Sequence, residues 1–165
     1  MAETWNKLSF EEDIVPKVNA DGLALASGKN VKLIQALTVD HTWSGITAVL
    51  TAGAALTIGQ AVYVGAADSK MELADADGAN TMPCVALATG SIAENATGEF
   101  LLFGFFRDDT WTWTRGGLLY AGNNPGDLVQ TAPAGAGDQV QVIGIAVTDK
   151  IIFFCPSLEL VEISA

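Results

Sequence analysis

The chain has 165 residues, half of them apolar and 16% charged, and 19 acidic against 8 basic residues leave a net charge of −11. One domain of ordinary size accounts for that length. With no Lys/Arg cluster anywhere, the acidic balance argues against binding to nucleic acid by phosphate neutralisation and against an anionic membrane surface.

Residues 1–15 (MAETWNKLSFEEDIV) lack the basic start and apolar stretch of a secretory signal, so no export is expected. Ser9 and Glu12 fit a capping box, yet Pro16 leaves room for hardly more than one helical turn. An extended N-terminal arm is the expectation here. It holds too little apolar text to fold alone, which makes Trp5, Phe10, Ile14 and Val15 candidate anchors for a partner surface. A loop-like stretch at 19–30 follows, and then Val31 to Val39 (VKLIQALTV) reads as a first strand. The chain divides near Gly45 into residues 1–42, arm and first strand, and residues 43–165, a β domain.

Beyond that point come short runs of β-branched, aromatic and aliphatic residues, with Gly, Asn and Asp between them every eight to twelve residues or so, the mark of a sandwich or barrel. Strands are predicted at 46–51, 60–64, 83–88, 99–106, 118–120, 139–147, 150–154 and 158–162. Gly53, Gly65, Gly78, Gly90, Gly122 and Gly137 fall between them, where positive φ is expected. No long 3.6-residue apolar period appears, so helix should be minor. The longest apolar run, Phe100 to Phe106, is far below the roughly 18 residues that suggest a membrane helix.

This region also echoes itself. Tyr63-Val64-Gly65 returns as Tyr120-Ala121-Gly122, and Val85-Ala86-Leu87-Ala88 as Ile143-Gly144-Ile145-Ala146. The expected fold is therefore all-β, a compact sandwich or barrel of two weakly repeated units, each covering the apolar face that the other cannot bury alone.

Candidate chemistry is sparse. His41 is the one histidine, and a Cys84–His41–Asp40 or Ser44–His41 set has no nucleophile elbow or papain-like context around it. A turn beside Trp43 is the simpler role for His41. The stretch Asp75 to Asn80 (DADGAN) matches a calcium loop only in part, because Met82, Cys84 and Val85 stand where later oxygen ligands belong. No phosphate-cradling glycine loop is present. Cys84 and Cys155 show no CxxC spacing and are expected to be reduced core thiols. No catalytic residue, metal or cofactor is expected.

The feature that stands out is Thr110-Trp-Thr-Trp-Thr114, whose alternation places Trp111 and Trp113 on one face of a strand. Two indoles on one face suit a core, a subunit contact or a ligand platform.

From Trp43 to Ile163 the chain resembles a recurrent family of tailed-phage virion proteins described as capsid decoration or cement proteins, head fibres and tail-fibre modules. The resemblance rests on TAGAALTIGQAVYVG (51–65), LADADGANTM (73–82), GFFRDDTWTWTRGGLLYAG (104–122), QTAPAGAGDQVQVIGIAVT (130–148) and KIIFFCPSLELVEI (150–163). It implies a β-rich homotrimer without catalytic residues. The expected function is capsid decoration on the outer surface of the phage head, with the major capsid protein as partner and the shell stabilised by the contact. The alternative is a fibre or receptor-binding module in which Trp111, Trp113 and the loops around Asn123 meet host glycans.

Overall fold

Apolar residues at alternating positions, separated by turn-forming ones, make strands wherever neighbouring runs can pair. The computed structural model describes residues 31–164, and Leu33–Ala165 form one compact unit. The strands are β1 (Trp43–Thr51), β2 (Ala61–Val64), β3 (Met71–Leu73), β4 (Ala86–Ala88), β5 (Thr97–Arg107), β6 (Leu118–Ala121), β7 (Leu128–Val129), β8 (Gln139–Val140), β9 (Val142–Ala146), β10 (Ile151–Phe154) and β11 (Val161–Glu162). One 3-10 turn at Ala79–Thr81 is the sole helical element among the described residues. The fold is all-β.

Nine strands form one curled sheet in the order β3-β2-β4-β5-β10-β9-β6-β7, with β1 also paired to β5, and β8 and β11 make a small second sheet. The order is a palindrome of the two sequence repeats: β2 and β6 hold the tyrosine echo, β4 and β9 the small-residue echo, and β5 and β10 meet in the middle. Because β1 follows β5 from Thr97 to Phe106, both β4 (at Phe100 and Leu101) and β10 (at Gly104 to Arg107) must use the opposite edge of β5, one beyond the other. The long β1–β5 ribbon thus joins the halves. A register shift at Ile46/Thr47 leaves Leu102 unpaired and bends the ribbon between them.

The concave side of the curl is the main core. Ala61, Leu87 and Leu101 of the first half meet Leu119, Ala121, Ile143, Ile152 and Phe154 of the second. Within the second half, a shift at Leu119/Tyr120 puts an extra residue, Ile143, on β9 and turns its side chain into this core. The opposite side of the first half is buried as well. Val62, Ala86, Ala88 and Phe100 lie there under Ala52, Leu56 and Ile92, held by bridges Ala52–Met71 and Leu56–Ile92. Burial on both sides explains why β4 is Ala-Leu-Ala, apolar throughout. Gly104, with φ of 145°, and its partner Gly45 let β1 and β5 touch, since a Cβ at Gly104 would lie 2.4 Å from the Ser44 carbonyl oxygen.

Several expectations change. Val31 to Val39 is not a strand: it joins no ladder among the described residues, and the segment is held instead by the Ile34 N–H donating to Ser44 Oγ and by Arg107 donating to the Leu37 carbonyl. Met71–Leu73 and Leu128–Val129 are additional strands, too short to show a period of their own. The predicted run at 139–147 divides into β8 and β9, which join different sheets. Of the six glycines expected at positive φ only Gly137 has it; Gly59, Gly104, Gly116 and Gly126 are the others.

Candidate interaction surface

One side of the second half has no cover among the described residues beyond the Ile34 segment, which touches it at Ser44. Cross-strand partners share a face, and the row Ser44–Phe105–Phe153–Ile145–Leu118 crosses β1, β5, β10, β9 and β6 in register. Phe153 packs edge-on against Phe103 at 4.9 Å and tilted against Phe105 at 5.0 Å, and Ile46 pairs with Phe103. Exposure of 58% for Ile46, 39% for Phe103 and 45% for Leu118 is high for an apolar sheet. β1, β6, β9, β10 and the Phe100–Phe106 part of β5 contain no Asp, Glu, Lys, Arg or His. In a chain of net charge −11 that is a strongly uneven distribution. Nine uncharged residues in β1, paired on one edge only among the described strands, continue this surface without the lysines or prolines that usually guard an edge. The aromatic runs FLLFGFF and IIFF were the signal for this face, but alternation alone does not say which of their sides is covered.

Trp111 and Trp113 are arranged differently from the expectation. Thr110 to Thr114 is irregular chain, not a strand, and its backbone groups bond outside any ladder. The Trp113 N–H donates to the Asp149 carbonyl, Gln130 clamps both the N–H and the carbonyl of Thr114, and Lys150 Nζ donates to the carbonyls of Asp109 and Trp111. Both indoles nevertheless turn inward and half-bury against the main core. They extend an aromatic series in which Trp43 stacks on Phe106, Phe106 meets Trp111 at 5.7 Å, and Trp111 meets Trp113 at 5.5 Å. Trp113 Nε1 is buried with no acceptor among the described residues. The proposed arm anchors Trp5, Phe10, Ile14 and Val15 lie outside the described residues.

His41 occupies a turn with φ of 54°, its Nδ1 3.7 Å from Asp40 and its Nε2 3.5 Å from Asp108. These three supply ligand atoms within 4.8 Å of one another and are, among the described residues, the group placed to take a metal ion. Neither imagined nucleophile joins them: Cys84 Sγ bonds to the Ala86 carbonyl, and Ser44 Oγ accepts from Ile34. Burial pushes the Cys84 thiol up to about 12, so it is a neutral core group, whereas Cys155 is only half-buried and its thiol is raised for the same reason. The Asp75 to Asn80 stretch satisfies itself: Asp75 Oδ1 accepts from the Asp77 N–H, Thr81 Oγ1 donates to the Asp75 carbonyl, and Asp77 Oδ1 accepts from Asn123.

No family model matches this chain, and no match was found among the curated proteins or the solved structures.

Proposed function

We propose that this is a non-enzymatic structural protein of a phage particle, a capsid decoration protein that sits on the outer surface of the head as a homotrimer and binds the major capsid protein. The observation that carries the proposal is the uncharged face around Phe103, Phe105 and Phe153, left largely uncovered by the described residues. Surface of this kind gains free energy when removed from water, roughly 25 cal/mol per Å² of apolar area. A copy with net charge −11 approaches another at least electrostatic cost where neither carries charge. The resemblance of 43–163 to tailed-phage virion proteins supplies the biological setting. The same negative charge favours the outside of a DNA-filled shell over its lumen. Binding only to the assembled shell would stabilise it by mass action. Imaging of purified particles with and without the protein tests the proposal. Added density over the head is the expected result; density confined to the tail would sink it in favour of a fibre role.

A further inference from the structure

Beside the tryptophan pair lies a cavity of about 310 Å³, separate from the uncharged face and lined by Gly59, Gln60, Asp108, Trp111, Trp113 and Asp127 together with three apolar neighbours. Neither Lys, Arg nor His lines it. Asp108 is the unusual member. The residue is 7% exposed, and its Oδ1 accepts from both the N–H and the hydroxyl of Thr110, at 2.8 and 2.6 Å. Its Oδ2 accepts no hydrogen bond among the described residues, and His41 Nε2 lies 3.5 Å from it, an ion pair only when the imidazole is protonated. A carboxylate oxygen so placed retains much of its attraction for a cation, because burial weakens screening.

Gly59 keeps this oxygen and the indole of Trp111 open to the same space. A Cβ there would meet Asp108 Oδ2 at 3.6 Å and Trp111 Cζ2 at 3.7 Å. The two indole planes are in contact, inclined at 52° with centroids 5.5 Å apart, and both line the space. Asp127 adds a second carboxylate, one oxygen of which is occupied by Asn124. Aromatic walls attract a cation through the ring quadrupole, more strongly as the site is desolvated. Carboxylates repel an anion from such a space and give a neutral guest no comparable attraction.

We infer that the cavity formed by Asp108, Asp127, Trp111 and Trp113 binds an organic cation, a guanidinium or alkylammonium group. Two sources carry that chemistry, an arginine or lysine side chain of another protein and a free quaternary amine. The inference goes beyond the virion reading and is tested on the free full-length chain, so its outcome does not depend on whether the protein decorates a head.

The experiment follows the two indole N–H resonances and tryptophan fluorescence while N-acetyl-arginine amide, choline or 3,3-dimethylbutan-1-ol is added at constant ionic strength. The alcohol is the uncharged carbon isostere of choline. Saturable shifts of both indoles with at least one cation, and at least tenfold weaker binding of the alcohol, are expected. Arginine amide alone points to a side-chain guest, choline alone to a free amine. Asp108→Asn keeps the oxygen that accepts from Thr110 and should weaken binding tenfold or more with an unchanged circular dichroism spectrum; Asp127→Asn, on an exposed side chain, should weaken it less. Equal binding of the isostere, or no saturable shift with either cation, overturns the inference.

Discussion

Gln141 shows how one polar side chain can hold an apolar core together. It is fully buried, accepts from the Cys84 N–H at 2.8 Å, and donates to the carbonyls of Cys84 and Ser157. No backbone ladder reaches these groups, so Gln141 substitutes for one. Gln141→Leu keeps the volume but leaves two carbonyls and an N–H unpaired, at about 1–3 kcal/mol each where burial persists. A loss of about 3 kcal/mol in urea unfolding is expected; a change below 1 would mean that the groups rehydrate. Cys84 gives a pH signature of opposite character. Its folded thiol is raised from an ordinary 9.0 to about 12, so the unfolded chain releases a proton first, and the contribution to stability is whole below pH 9 and lost as pH rises towards 12. Cys84→Ala should flatten that decline, whatever it does to absolute stability, and an identical pH slope in the two proteins would refute the assignment.

At the scale of elements, the two halves share a strand order but not a pattern of cover. Tyr63 of β2 packs on the main core, whereas its echo Tyr120 alternates with the inward Leu119 and Ala121 and so shares the outward side with Leu118. The first half buries both sides because Ala52, Leu56 and Ile92 cap it; the corresponding surface of β10, β9 and β6 lacks such a cap among the described residues. This predicts that Phe153→Glu abolishes self-association while sparing the fold, since the side chain faces away from the core. Sedimentation velocity should show the native chain as an oligomer and the variant as a monomer with a near-native melting temperature. An oligomer unchanged by the substitution would place the subunit contact elsewhere.

For the molecule as a whole, charge and apolar surface make separate demands. A contact built on the uncharged face should resist salt, whereas one built on the carboxylates should weaken as the screening length falls to about 3 Å at 1 M. Co-sedimentation with shells is therefore expected to persist undiminished from 0.1 to 1 M sodium chloride. A steep loss across that range would shift the docking surface to the acidic residues.

The all-β class, nine of the eleven strands in whole or part, and the pairing of two related units were legible in the sequence, because alternation and turn residues act locally. The acidic balance was legible for the same reason: it is a sum over residue types. Three things needed the tertiary structure. Val31 to Val39 looks like a strand, but a ladder needs a partner, and among the described residues the segment pairs with none and is held instead through Ser44 and Arg107. Trp111 and Trp113 share a face as alternation implied, yet the backbone beneath them is tied by Gln130 and Lys150 across 16 and 39 residues or more. The phenylalanines of β5 and β10 are divided between core and surface by the curl of the sheet. Phe106 and Phe154 are buried while Phe103 stays exposed, and no local property of the three distinguishes them.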